Sequence, residues 1–309
     1  MQIAWGGHEK IAVGCSNGAV IVVDIGQAVR EHLRQASSNG KEAAGSVEHR
    51  NTSIITQFFS SHDSMVRGLS WNNPRKWLRE QRKRSDATQQ PDVWPPPAPR
   101  QILSSANDGF LAVTDEREPQ MPVHIHRVRG FLVASQWAVQ SNVVLFADGE
   151  NIVRVIRPGE DEQRTDKDDE FASRTQSRAL MGHRGFVWSV SSSIYSPFAV
   201  SCAADGAVRV ANWNRLGDRR HTRSVVHTLY KIEWTGDRHF SFIEETKRED
   251  FQPSNHKSGS GSLGALLPDA IALHKVVWNS DLCAWSWVAS AGAAGLLRLD
   301  TVTNCSSIS

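Results

Sequence analysis

The sequence has few cysteines and no long apolar run. Its four cysteines, Cys15, Cys202, Cys283 and Cys305, are far apart and form no C-x-x-C pair. This spacing argues against a zinc site and against a disulfide framework, and it favours reduced thiols in a cytosolic or nuclear protein. No apolar run approaches the ~18 residues that span a bilayer. The N-terminal MQIAWGGHEK lacks the charged lead and apolar core of a secretory signal. We expect no metal and no membrane partner.

Motifs that cradle phosphates or activate a nucleophile are also missing. The chain has no G-x-x-x-x-G-K-[ST] loop, no H-E-x-x-H spacing among its 12 histidines, and no G-x-S-x-G elbow around Ser201. The formal net charge of +2 excludes a wholly basic nucleic-acid coat. We therefore expect a protein that is not an enzyme, with no cofactor, no catalytic residue and no small-molecule substrate.

Tryptophan, by contrast, is abundant at 11 residues, and it recurs at the ends of short apolar segments. These segments are IAW, MVRGLSW, GFLVASQW and ALHKVVW, and each is followed by a second apolar segment, a glycine turn and a third. Period-2 alternation, β-branched residues and glycine turns together predict antiparallel strands joined by tight turns. The turns fall at Asn17-Gly18, Asp108-Gly109, Asp148-Gly149, Asp205-Gly206 and Ala294-Gly295.

The clearest copy of this unit is GHRGFVWSVSSSIYSPFAVSCAADGAVRVANW, which starts at Gly182. Five copies predict an all-β chain with the WD-repeat β-propeller fold. We expect one domain over residues 1–300, with blades at about 1–25, 53–117, 122–157, 178–213 and 225–300, and a tail at 301–309. YKIEW and HFSFIEE are either a sixth, degenerate blade or a long hairpin that leads into the fifth. Because Met1 falls inside a strand pattern, we expect a seven-bladed ring whose N-terminal blades are missing here.

Four segments between the strands have a loop composition, and we expect them on the surface. Residues 26–52 are polar, 73–99 basic and then proline-rich, 158–177 acidic, and 253–264 rich in serine and glycine.

His183, Ser201 and Asp205 are the residue types of a hydrolase triad. In WD-repeat blades the same three types bond to one another and satisfy buried polar groups. We therefore expect them to form a structural network. Ala211 stands where the WD-repeat consensus has tryptophan, and no copy keeps a Trp-Asp pair. The network is accordingly expected to be incomplete in most blades.

The segment RKWLREQRKR is a candidate basic interaction loop, with Trp77 and Leu78 between its cations. Such a segment can act as a nuclear import signal, contact phosphates, or simply be a solvated loop. Its candidate residues are Arg75, Lys76, Arg79, Arg82, Lys83 and Arg84.

Three phrases resemble a particular family: HDSMVRGLSWN, ILSSANDGFLAVTDER, and ALHKVVWNSD followed by WVASAGAAGLLRL. They are similar to the WD-repeat subunit of transcription factor IIIC, the general factor of RNA polymerase III. The resemblance implies a nuclear scaffold that binds the other subunits of that factor at the internal promoter (B box) of transfer-RNA genes. We expect the contact with promoter DNA to be indirect, and the resemblance offers no catalytic residue. The alternative is a generic WD-repeat adaptor, such as a ubiquitin-ligase substrate receptor or a chromatin-complex scaffold.

Overall fold

The structure is a computed structural model. It describes residues 2–6, 10–26, 29–30, 33, 55–72, 101–138, 142–158, 177–214, 224–234, 240–244, 248–251, 269–281 and 283–302. Within these residues, 21 strands form five antiparallel sheets. No helix of the described part is long and apolar enough to cross a membrane.

The first three sheets have four strands each, paired in chain order. Sheet one contains β1 (Gln2–Trp5), β2 (Lys10–Gly14), β3 (Ala19–Asp24) and β4 (Ile55–Ser60). Sheet two contains β5 (Val66–Trp71), β6 (Gln101–Ala106), β7 (Phe110–Asp115) and β8 (Val123–Arg127). Sheet three contains β9 (Leu132–Ala138), β10 (Val143–Asp148), β11 (Ile152–Ile156) and β12 (Arg178–Gly182).

Sheet four is wider than the others. It contains β13 (Val187–Ser192), β14 (Phe198–Ala203), β15 (Ala207–Asn212) and the long β16 (Ser224–Trp234). Two short strands, β17 (Phe240–Ile243) and β18 (Arg248–Phe251), both pair with β16. Sheet five follows a 3-10 turn at Asp269–Ile271, and its described strands are β19 (Leu273–Trp278), β20 (Trp287–Gly292) and β21 (Leu297–Thr301).

The first strand of each sheet packs against the first strand of the next, from β1 through β5, β9 and β13 to β19. The sheets therefore follow one another around a common line, with β1, β5, β9, β13 and β19 innermost. Apolar side chains fill the spaces between the sheets. Trp71, Trp137 and Trp278, at the ends of three inner strands, are nearly fully buried. Since each fully buried side chain of this kind stabilises the fold by several kcal/mol, these interfaces are the core of the molecule.

The repeats of the sequence and the sheets of the structure are offset by one strand. Each predicted unit after the first begins with a strand that completes the preceding sheet: β4, β8, β12 and β16. In sheets one to three, the fourth strand is thus followed along the chain by the first strand of the next sheet. This offset corrects the boundary at residue 225, because Ser224–Trp234 pairs with β15 in sheet four.

The two segments that suggested a sixth blade belong to sheet four as well. YKIEW is the end of β16, and HFSFIEE contains β17, which pairs with it as Trp234↔Phe240 through Lys231↔Ile243. The two segments thus form a hairpin and not a sixth blade. This hairpin widens sheet four and does not add a strand to sheet five.

The outer face of sheet one is apolar and uncovered by any other described sheet. Ile3 and Trp5 are more than half exposed on β1, and Phe58 on β4 is equally exposed. The strand registers place their neighbours in two rows across the sheet, Ile3–Val13–Ile21–Phe58 and Trp5–Ile11–Val23–Ile55. In sheet five, Val277, Trp287, Leu297 and Leu299 are likewise exposed. The described array therefore ends in an apolar face on each side.

Candidate interaction surface and hydrogen-bond networks

His183, Ser201 and Asp205 come together in sheet four. His183 Nδ1 lies 3.2 Å from Asp205 Oδ1, and its Nε2 lies 2.8 Å from Ser201 Oγ. Asp205 also accepts the main-chain N–H groups of Arg184 at 2.8 Å and Ala207 at 3.1 Å. The network therefore ties the loop that precedes β13 to the turn between β14 and β15.

Sheet two contains a second copy of this network. His62 Nδ1 lies 3.0 Å from Asp108 Oδ2, and His62 Nε2 lies 2.9 Å from Ser104 Oγ. This copy was not predicted, because His62 and Asp108 are separated by 46 residues, against 22 for His183 and Asp205. The basic insertion at 73–99 accounts for the longer separation. The signal that could have found it was the turn Asn107-Asp108-Gly109 with a serine four residues before the aspartate.

Burial and charge set the ionisation of these groups. Burial lowers the pKa of His62 below its ordinary value of 6.5, although Asp108 opposes the shift. Burial works against the charged form of Asp205, yet its pKa lies below the ordinary value of 3.8 because His183 and the N–H of Arg184 stabilise the carboxylate. Both networks thus hold a hydrogen-bonded carboxylate at the turn.

The distances within each network match those of a nucleophile, a base and an orienting acid. The burial of the side chains distinguishes a catalytic triad from a structural network. His183 and Ser201 are fully buried, and His62 and Ser104 are nearly so. Neither serine is exposed to solvent, and the arrangement occurs twice at equivalent positions. The geometry is that of a buried polar network that fixes loops.

In sheets one and three, other side chains accept the main-chain N–H groups of the turn, whereas sheet five has no such acceptor. In sheet three Asp148 binds Arg154 and the main-chain N–H groups of Glu150 and Ile152. In sheet one Asn17 accepts the N–H of Ala19 at 3.2 Å. Sheet five has Ala293-Ala294-Gly295 at its turn, which offers no side-chain acceptor. Of the five described sheets, two therefore have the His–Ser–Asp network.

Inner strands of neighbouring sheets are linked by a repeated hydrogen bond between a side chain and a main-chain N–H. A polar side chain near the end of one inner strand accepts a main-chain N–H from the next inner strand. The three pairs are Ser70 with Trp137 at 3.0 Å, Gln136 with Ser192 at 3.1 Å, and Ser191 with Trp278 at 2.9 Å. No sequence pattern indicates these bonds, because each joins residues of two different repeats.

The basic interaction loop, Arg75, Lys76, Arg79, Arg82, Lys83 and Arg84, lies outside the described residues. The residues on either side of it are described. Asn72 donates from its main-chain N–H to Gln101 O at 2.9 Å and from its side-chain amide to Gln101 Oε1, also at 2.9 Å. The insertion thus leaves from two adjacent points at the end of β5 and the start of β6.

At the opposite end of the inner strands, aromatic rings are exposed. Phe131, Phe186 and Trp188 are 37%, 46% and 38% exposed, and His274 is exposed beside them. Ring centroids are 5.9 Å apart between Phe131 and Phe186, 6.2 Å between Phe186 and Trp188, and 5.7 Å between Trp188 and His274. We call these four residues the aromatic strip. It crosses sheets three, four and five.

Among the described residues, no group of three or more His, Cys, Asp or Glu side chains could hold a metal ion. Cys15, Cys202 and Cys283 are free thiols. Burial raises the pKa of Cys202 to about 12.

Sequential antiparallel sheets around a common line, with a buried His–Ser–Asp network in the clearest repeats, define the WD-repeat β-propeller class. Two solved structures of WD-repeat propellers are similar to the chain. "Structure of U3-55K" matches with a TM-score of 0.52 at 12% identity, over 97% of this chain and 61% of that chain. A chain of "Crystal Structure of Mitotic Checkpoint Complex" matches with a TM-score of 0.49 at 13% identity, over 98% of this chain and 64% of that chain.

No model of a known protein family matches the sequence. Among curated proteins, "Transcription factor tau subunit sfc6" of Schizosaccharomyces pombe is 27% identical over 132 residues. That alignment covers 42% of this chain and 22% of the relative. The chain thus has the WD-repeat β-propeller fold and is similar, over part of its length, to a transcription factor subunit, of which the matched part spans about a fifth.

Proposed function

We propose that this protein is a non-enzymatic scaffold within transcription factor IIIC, where it binds other subunits at the B box of transfer-RNA genes. The observation that supports this most is the similarity to the tau subunit, on a fold whose recurrent polar groups are buried. The same relative supports a nuclear location. The contact with promoter DNA is proposed to be indirect.

The scaffold role follows from how the loops are fixed. The His62 and His183 networks and the bonds between inner strands hold the ends of the sheets in place. Rigid sheets that present loops at set positions are well suited to binding partners. The buried serines, in contrast, meet no substrate.

We propose further that the five sheets are part of a larger ring of seven. The uncovered rows on sheet one contain large apolar residues, among them Trp5 and Phe58. Apolar faces of this kind are buried between all neighbouring described sheets, and their exposure in water is unfavourable. Two more sheets between the first and the fifth would cover both faces.

The basic segment is proposed to serve nuclear entry or to bind an acidic surface of a neighbouring subunit. Neutralising Arg79, Arg82, Lys83 and Arg84 together is expected to weaken localisation or complex binding without lowering thermal stability. Neutralising Arg117, which is exposed on sheet two, is the control and is expected to change neither. Unchanged localisation and affinity in the fourfold variant would refute this role.

An affinity pull-down of the tagged protein from nuclear extract, followed by mass spectrometry, tests the proposed function. The proposal expects other transcription factor IIIC subunits among the captured proteins. Capture of ubiquitin-ligase or chromatin-complex components without them would favour the adaptor alternative. The Trp278→Ala variant, with its core damaged, serves as the negative control for fold-dependent capture.

A further inference from the structure

The aromatic strip is built from a tripeptide that occurs twice. Arg129-Gly130-Phe131 precedes β9, and Arg184-Gly185-Phe186 precedes β13. Both phenylalanine carbonyls are held by the turn of their own sheet. Phe131 O accepts the N–H of Gly149 at 3.1 Å, and Phe186 O accepts the N–H of Ala204 at 2.8 Å. Two neighbouring sheets thus present the same arginine and phenylalanine pair from anchored loops.

β-Bulges direct the other half of the strip. The pairing of β13 with β14 shifts between Val187 and Ser189, and that of β19 with β20 shifts between Leu273 and Lys275. Trp188 lies inside the first shift, and His274 lies inside the second. A bulge re-aims a side chain and is common near functional sites. The edge-to-face contact of Trp188 with His274 therefore results from equivalent irregularities in adjacent sheets.

Among the described residues, the charged side chains on the segments that carry the strip are positive. Arg129, Arg184 and Lys275 are exposed, and within the described part of the chain no carboxylate pairs with Arg129 or Arg184. Glu150 follows Gly149, whose N–H bonds Phe131 O, and its carboxylate is paired with Arg154 at 2.8 Å. Asp63 and Asp269 lie on the loops of sheets two and five. An anionic ligand is favoured beside the two arginines.

We propose that the aromatic strip binds a linear acidic peptide of a partner protein, with an aromatic or large aliphatic side chain seated on the rings and carboxylates at Arg129 and Arg184. The rings are tilted 46°, 55° and 87° to one another. Stacked bases of a single-stranded nucleic acid need ring faces that are accessible, whereas mutually tilted rings form an apolar patch for a side chain. The geometry therefore favours a peptide over a nucleic acid.

This inference rests on the proposed scaffold function only in that it names one of the partner surfaces, and it is tested separately. Random short peptides displayed on phage are selected on the immobilised full chain. The expected result is enrichment of peptides that combine aspartate or glutamate with a large apolar residue. Their affinity is then measured by fluorescence polarisation, with oligothymidylate as a competing probe.

Trp188→Ala is expected to weaken binding of the selected peptides about thirtyfold, the loss typical of a central aromatic in an interface. Trp234→Ala is the matched control, since Trp234 lies in the same sheet, is 37% exposed and packs on Phe240. It is expected to leave binding unchanged. The double variant Arg129→Glu and Arg184→Glu alters exposed side chains only and keeps the glycine loops, so it tests the charge contribution without risk to the core.

Three outcomes would overturn the inference: no acidic enrichment, equal affinity of the Trp188→Ala variant, or oligothymidylate that binds the strip while the peptides do not. If the pull-down captures no transcription factor IIIC subunit but peptide binding is intact, the proposed function is overturned and the peptide-binding role of the strip is retained. If the expected subunits are captured but no peptide binds, the peptide-binding role of the strip is overturned and the proposed function is retained.

Discussion

The main-chain N–H of Trp278 donates a hydrogen bond to Ser191 Oγ in the neighbouring sheet at 2.9 Å. Ser70 and Gln136 make the equivalent bonds to Trp137 and Ser192. The described inner strands of adjacent sheets share no ladder of backbone hydrogen bonds. The three side-chain bonds therefore fix the position of each sheet relative to the next along the inner strands. They also satisfy N–H groups that burial would otherwise leave without a partner.

Replacing Ser191 with alanine leaves the buried N–H of Trp278 without its acceptor. We expect the free energy of unfolding to fall by about 1–3 kcal/mol, the cost of an unsatisfied buried donor. Urea titration followed by tryptophan fluorescence measures the change. Ser16→Ala, at an exposed turn, is the control and should stay within about 0.5 kcal/mol of the parent protein. Equal stability of the two variants would show that the bond contributes nothing.

The two aspartates at the network turns should differ in importance. The side chain of Asp205 is 4% exposed and that of Asp108 is 14% exposed. Asp205→Ala removes the acceptor of His183 and of the buried Ala207 N–H, and each buried donor left without a partner is expected to cost about 1–3 kcal/mol. Asp108→Ala is expected to cost less. Thermal and urea unfolding of both variants would test the order. A larger loss for Asp108→Ala would contradict it.

Stability should depend on pH through His62. Because its folded pKa lies below 6.5, the unfolded chain binds a proton first as the pH falls, and it then holds more protons than the folded chain. The contribution of neutral His62 is therefore complete above pH 6.5 and is lost as the pH falls below that value towards the folded pKa.

We expect the free energy of unfolding to decrease on acidification through this range in the parent protein, and less steeply in His62→Asn. Urea titrations at a series of pH values on both sides of 6.5 give the two slopes. Identical slopes would mean that another group is responsible.

Trp278 and Trp287 lie in the same sheet with opposite environments. Trp278 is 4% exposed and Trp287 is 42% exposed. Trp278→Ala is expected to cost about 3–5 kcal/mol and to unfold sheet five, because it removes a buried aromatic ring. Trp287→Ala should be close to neutral in the isolated chain. Limited proteolysis with mass spectrometry should locate the new cleavage sites of Trp278→Ala within β19 to β21.

Local patterns were enough to predict many of the strands. GFLVASQW predicts β9, and WVASAG with LLRLD predicts β20 and β21, because alternation and glycine turns act over a few residues. The sheet to which a strand belongs was harder to infer. YKIEW reads equally well as a new blade or as a hairpin, since pairing partners are not encoded in the strand itself.

The hydrogen-bond networks also divide into a part that local sequence predicts and a part that depends on distant residues. His183 and Asp205 could be paired from sequence because little separates them, whereas His62 and Asp108 are divided by the basic insertion. The aromatic strip has a local sequence signal, the repeated Arg-Gly-Phe. Only the packing of sheet three on sheet four brings the two copies to a ring separation of 5.9 Å.

By itself the sequence determined the all-β class, the tight turns and the repeated strand pattern, because these depend on backbone preferences and on neighbours a few positions away. The tertiary structure decided how strands are shared between sheets, which polar groups meet, and which aromatic rings remain exposed. These outcomes depend on contacts between distant repeats, whose positions are set only when all the sheets pack together.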